Sequence, residues 1–123
     1  MAASGRWGVV LWGLDASGDS PARAFYLEQS KGDQAKLAAL FQRLADFGRI
    51  ENREKFKQLG DLAKGEARSL WEFKSFQLRF LGNFRPGYRF VISWGLRKKA
   101  DRLSPEDMQR AVKLLAEHDL ANR

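Results

Sequence analysis

The chain has 123 residues, 44% hydrophobic and 30% charged, which fits one globular domain with a single core and excludes a disordered polyelectrolyte. It contains no cysteine, which excludes disulfides and thiolate-bound zinc or iron–sulfur centres. The formal net charge of +7 directs attention to polyanionic partners, and Val9–Leu14, the longest apolar stretch near the N-terminus, is too short to cross a bilayer. Met1–Gly5 lacks the pattern of a signal peptide and reads as a flexible tail, so the expectation is a soluble, cytoplasmic protein with no membrane partner.

Trp7–Leu14 is β-branched and aromatic, and predicts a first strand. Turn chemistry follows over Asp15–Asp19. Ser20-Pro21 then announces a helix, with Ser20 as N-cap and Pro21 at the first helical position, where its missing N–H costs nothing. This helix is expected to reach about Ser30 and stop at Gly32. Asp33 can cap a second one, in which Leu37, Leu40, Phe41, Leu44 and Phe47 recur at helical spacing before Gly48. The two predict a helical hairpin packed on one face of a sheet.

Phe56–Leu59 reads as a short strand before a Gly60-Asp61 turn. Further strands are predicted over Leu70–Lys74, Phe76–Phe84 and Tyr88–Trp94, the last two joined by Arg85-Pro86-Gly87. Period-two alternation groups Phe76, Leu78 and Phe80 on one face with Arg79 opposite. It likewise groups Tyr88, Phe90, Ile92 and Trp94, with Arg89, Val91 and Ser93 opposite. On this reading Phe73, Phe76, Phe80 and Phe90 are core, while Trp71 and Trp94 are partly accessible. Ser104-Pro105 repeats the N-cap and proline signature, Glu106 and Asp107 complement the helix dipole, and Met108, Ala111, Val112 and Leu115 form the stripe of a last helix. His118, the only histidine, is expected on its surface. The fold class is α+β: an N-terminal strand, a helical hairpin, a small mostly antiparallel sheet and a C-terminal helix, in one domain.

Charge is concentrated in residues 68–102. Nine lysines and arginines there face only Glu72 and Asp101, and eight of the fifteen aromatics fall in the same block. The rest of the chain balances at thirteen charges of each sign. Cations spaced along strands and interleaved with rings suit a surface that grips RNA or DNA.

Several segments in this order resemble the phage-derived, HigB-like branch of the RelE/ParE toxin superfamily. Arg6-Trp7-Gly8-Val9-Val10 with Gly18-Asp19-Ser20-Pro21 resembles its opening, and Phe56-Lys57-Gln58-Leu59-Gly60 its "KKLG" segment. Leu70-Trp71-Glu72-Phe73-Lys74 is similar to its "LWELR" strand, and Arg79 stands where its "YR" arginine falls. Trp94-Gly95-Leu96-Arg97-Lys98-Lys99 resembles its "HGFxKK" ending, and Ser104–Ala111 the start of its last helix. The resemblance covers about residues 6–118. It implies a RelE-like fold and the toxin half of a type II toxin–antitoxin pair, a metal- and cofactor-independent endoribonuclease acting on mRNA in the ribosome. It also implies a cognate antitoxin, often of helix-turn-helix type. ParE-like relatives poison DNA gyrase on the same fold, so a non-enzymatic toxin and an inactive nucleic-acid-binding module are the alternatives.

RNA is cut without metal when its own 2′-OH attacks the adjacent phosphate, provided fixed cations hold the phosphate and stabilise the charge that develops. By position in the resemblance, Lys57, Lys74, Arg79 and Lys98 are the expected catalytic set. Arg79 would bind the scissile phosphate, and Lys57 or Lys74 would act as base or charge stabiliser. Arg89 would lie beside them. Arg97 and Lys99 would hold flanking RNA, with Arg68, Arg85 and Trp94 completing the RNA-binding surface. Glu72 reads as an ion-pair partner for a neighbouring cation rather than as a base. Two departures bear on catalysis: Trp94 replaces the family's histidine, and Phe80 stands where a tyrosine is expected.

Overall fold

A computed structural model of the protein describes residues 1–99 and 102–122, so Asp101 of the basic block lies outside the described residues. It is an α+β structure with one six-stranded mixed sheet and three α-helices. Among the described residues no helix is long and apolar enough to cross a membrane. The strands are β1 (Ala3–Ser4), β2 (Val9–Trp12), β3 (Phe56–Gln58), β4 (Trp71–Ser75), β5 (Leu78–Arg85) and β6 (Arg89–Arg97). The helices are α1 (Pro21–Leu27), α2 (Lys31–Phe47) and α3 (Pro105–Ala121). Short 3-10 turns at Gly60–Leu62 and Gly65–Ser69 fill the connection from β3 to β4.

The sheet order is β1-β2-β6-β5-β4-β3. All neighbours are antiparallel except β2 and β6, which run parallel from Val9 beside Arg89 to Trp12 beside Ile92. The N-terminal residues are not a free tail, because Ala3 and Ser4 pair with Val10 and Val9. The helical hairpin also differs from expectation at its joint. The first helix stops at Leu27, and Ser30 rather than Asp33 caps the second, its hydroxyl accepting the Asp33 N–H. Gly32 is tolerated because it sits in the exposed first turn, where a residue with no side chain removes no packing.

Both faces of the sheet are covered. On one, Leu37, Phe41 and Leu44 of α2 pack with Val10, Phe56, Phe73, Phe80, Phe90 and Ile92 in a largely aromatic core. On the other, Ala111 and Leu115 of α3 pack with Leu59, Leu70, Leu81 and Val91. Ser104 and Pro105 start α3 as the sequence predicts, with the Ser104 hydroxyl accepting the Asp107 N–H.

The expected alternation in β6 fails at one point. Leu81 pairs with Trp94 but Gly82 pairs with Ile92, so Ser93 is an extra residue in the ladder. This β-bulge shifts the alternation by one position. Phe90 and Ile92 face the aromatic core, whereas Trp94 and Leu96 join Val91 on the α3 side. Glycine is required opposite the bulge, since a Cβ on Gly82 would lie 2.1 Å from the Val91 carbonyl oxygen. Phe76 is not core either. It sits in the β4–β5 turn with φ of 53° and is 74% exposed.

Candidate functional site

The register of β3, β4 and β5 sets Lys57 opposite Glu72, and Lys74 opposite Arg79. Because alternate strand residues share a face, these four side chains fall on the α3 side of the sheet while Phe56, Phe73 and Phe80 anchor the strands in the aromatic core. Beside them lies a cleft of about 370 Å³ lined by Lys57, Glu72, Lys74, Lys98, Arg102 and Asp61. Its apolar wall is Leu59, Leu62, Leu103 and Met108. The Lys98 N–H donates to the Gln77 carbonyl at 2.7 Å, which ties the end of β6 to the β4–β5 turn and brings Lys98 to the cleft.

Glu72 is 4% exposed, with Oε1 4.0 Å from Lys57 Nζ and Oε2 4.0 Å from Arg79 Nε. A buried carboxylate persists only where opposite charge offsets its lost hydration, and these two cations supply it. Yet Glu72 Oε2 and Arg79 Nε are both buried without a hydrogen-bond partner among the described residues. The Lys74 ammonium is held below the usual lysine range. Burial is the main cause and the Lys57 charge the next; Arg79 and Lys98 act the same way, against the opposing pull of Glu72. The result is an amine that gives up its proton more readily than a surface lysine, in a cleft rich in fixed positive charge.

Lys57, Lys74 and Lys98 are therefore brought together as the sequence expects, and Glu72 is the ion-pair partner it was read to be. Arg79 reaches the same cluster from behind. It is 8% exposed, and its Nη1 donates to the Phe76 and Leu78 carbonyls of the β4–β5 turn. That guanidinium holds the turn and faces Glu72, rather than presenting an open fork to a phosphate.

The remaining cations are spread out. Arg89 is not beside the cluster: it pairs with Arg85 at the far end of β5 and β6, where Arg85 bridges to Asp119 at 2.9 Å. Arg68 bridges to Asp61 at 2.6 Å in the exposed 3-10 region. Arg97 and Lys99 are exposed on either side of Lys98.

Trp94 is partly accessible, as expected, but fixed in place. Its indole N–H donates to Asp107 Oδ1 at 2.9 Å, and the Arg110 guanidinium lies 5.4 Å from its ring centre. His118 is buried, not on the surface. It is 5% exposed, and its Nδ1 accepts the Leu14 N–H at 3.1 Å, which packs α3 against the end of β2 and keeps it away from the cleft.

Sequence reasoning gave no role to Arg102 or Asp61, both on the cleft. Arg102 was visible in the basic block, but nothing in the sequence signals that it lines the same cleft as Lys57. Among the described residues no group of three or more histidine, aspartate or glutamate side chains is placed to hold a metal ion. No protein-family model matches this chain, and no curated protein matches it either.

Proposed function

We propose that this protein is a toxin-type endoribonuclease that cuts mRNA on the ribosome without a metal, the activity implied by its resemblance to the HigB-like toxins. The observation that carries the reading is the Lys74 amine, depressed in pKa and set among Lys57, Lys98 and the buried Glu72 in one cleft. A general base works best when its pKa approaches the working pH, and burial among cations moves a lysine in that direction.

In this scheme Lys74, in its deprotonated form, takes the proton of a ribose 2′-OH, and the 2′ oxygen attacks the adjacent phosphorus. The bond from phosphorus to the 5′ oxygen breaks, and that oxygen takes a proton from the Lys98 ammonium. The products are a 2′,3′-cyclic phosphate and a 5′-hydroxyl. Lys57 stabilises the charge of the pentacoordinate phosphate, while Glu72 and Arg79 hold the lysines in position. Arg97 and Lys99, exposed on either side of Lys98, take flanking RNA. A cognate antitoxin, of helix-turn-helix type in the toxins it resembles, would cover this face.

Purified protein added to a cell-free translation reaction, with mRNA 5′ ends mapped by primer extension, tests the reading. Cuts are expected during translation, absent without ribosomes, and lost on exchange of Lys74 or Lys98 for alanine. Intact mRNA with and without ribosomes would overturn it. The indole standing in place of histidine, tied to Asp107, favours a second reading in which the same sheet binds nucleic acid without cutting it. Salt-dependent binding spread over the cations, with no cleavage, would select that alternative.

A further inference from the structure

Among the described residues two non-glycine residues have positive φ, Phe76 at 53° and Tyr88 at 58°, and both are exposed aromatics in the turns that flank β5. In this region a side chain crowds its own backbone, and glycine or asparagine is the ordinary occupant. The backbone conformation itself is accounted for at both sites. The Tyr88 carbonyl accepts the Val9 N–H at 3.0 Å, which starts the parallel pairing, and the Phe76 carbonyl accepts from Arg79 Nη1. Either bond would survive with glycine in place of the ring.

The rings differ. Tyr88 packs edge-on against Trp7, with centroids 6.1 Å apart, so the fold uses it. Phe76 makes no aromatic contact among the described residues. Its ring is 74% exposed, with the Lys36 ammonium over its face, 4.5 Å from the ring centre. A large apolar side chain thus occupies a strained and hydrated position that folding alone would give to glycine.

Its surroundings are cationic, and the turn stands between two faces: Lys36 over the ring belongs to α2 on the aromatic-core side, while the cleft lysines lie on the α3 side. The turn that carries Phe76 holds Arg79 through the Phe76 carbonyl and Lys98 through the Gln77 carbonyl. Arg97 spans from Gln77 Oε1 at 3.5 Å to Gln29 Oε1 at 3.4 Å. An exposed ring with cations around it is what a single-stranded nucleic acid requires: phosphates meet the charges and an unpaired base stacks on the ring.

We infer that Phe76 is a stacking platform for an unpaired base of single-stranded RNA that passes round the β4–β5 turn from the Lys57–Lys74–Lys98 cleft. The inference rests on the reading of that cleft as an RNA site, but not on cleavage. It does not depend on base identity, since every base has a π face.

The test uses a short fluorescent single-stranded RNA whose 2′ positions are methylated, so that no nucleophile remains and cleavage cannot intervene. Its affinity for the full chain is compared with that of the same strand carrying abasic sites. Phe76→Gly should weaken binding of the base-bearing strand about tenfold and leave the abasic strand unaffected. Phe76→Tyr, which keeps the ring, should restore it. The thermal midpoint of Phe76→Gly should hold or rise, because strain is relieved. Equal losses on both strands, or no loss on either, would overturn the inference. A lowered midpoint without a base-dependent loss would assign the ring to folding, or to an apolar protein partner, and would also overturn it. If mRNA is never cut but the base-dependent loss is seen, the cleavage reading fails and this one stands.

Discussion

Glu72 Oε2 and Arg79 Nε face each other at 4.0 Å in the interior of the sheet, and neither atom has a hydrogen-bond partner among the described residues. The separation is about 1 Å longer than an ordinary charged hydrogen bond, so the two groups act on each other as charges rather than as donor and acceptor. Glu72 is thus the buried anion that holds Lys57, Lys74 and Arg79 together.

Glu72→Gln removes that anion while keeping its shape. We expect a loss of about 3 kcal/mol in unfolding free energy, the low end for breaking a buried pair, since Lys57 retains partial access to water. Denaturant midpoints at unchanged slope measure it. Adding Lys74→Met should recover part of the loss, because one of the uncompensated cations is gone.

Lys74→Met alone should stabilise the protein at neutral pH while abolishing RNA cleavage. An unfolded lysine keeps its proton up to about pH 10.4, whereas the folded state releases it lower. Below the folded pKa the charged amine therefore weighs against folding, and that burden disappears as the pH rises toward the unfolded value. The advantage of Lys74→Met over the natural chain should accordingly shrink between neutral pH and about pH 10. An advantage that does not change with pH would disprove this account.

His118 has its pKa pushed down, chiefly by burial. Asp119 opposes the shift, and the Arg89 and Arg85 charges add to it. Unfolded histidine titrates near pH 6.5, so the unfolded chain takes up this proton first as the solution is acidified. The contribution of neutral His118 is complete above about pH 6.5 and is lost as the pH falls from there through the folded value. In His118→Asn an amide oxygen can take over the role of Nδ1 as acceptor for the Leu14 N–H, with nothing to titrate. Unfolding curves recorded from about pH 7 down to pH 5 should show a shallower acid limb for this variant.

Gly82→Ala should cost about 3 kcal/mol, because the added carbon would meet the Val91 carbonyl oxygen at 2.1 Å and the ladder must shift to admit it. Thermal unfolding measures the loss. The same shift would disturb the bulge that turns Trp94 toward α3, so tryptophan fluorescence should change with it.

Much of this architecture was legible in the chain. Ser20-Pro21 and Ser104-Pro105 mark helix starts because a hydroxyl acceptor followed by proline suits the first turn and little else. The period-two pattern of the early part of β5 set Arg79 apart from Leu78 and Phe80, both of which do pack in the aromatic core. What escaped is what depends on distant partners. The extra residue at Ser93 carries no local signal, yet it moves Trp94 to the opposite face. Phe76 has the composition of a strand residue and the conformation of a turn residue, a conflict that only φ reveals. His118 is polar and lies in an amphipathic helix, so nothing nearby announces that the Leu14 N–H, more than a hundred residues earlier, needs an acceptor. Arg79 was identified as a site residue from its neighbours in sequence, but its partners are carbonyls of its own turn.

The parallel seam between β2 and β6 has a consequence for timing. Val9 must wait for Arg89, and Trp12 for Ile92, so β2, made early, finds this partner only after the strand made last has left the ribosome. Contacts of such long range slow folding, because most of the chain's freedom is surrendered before they form. Lys98 follows the end of that same strand. A nascent chain therefore carries Lys57 and Lys74 before the third lysine is made, and the cleft closes as one of the later events in making the protein.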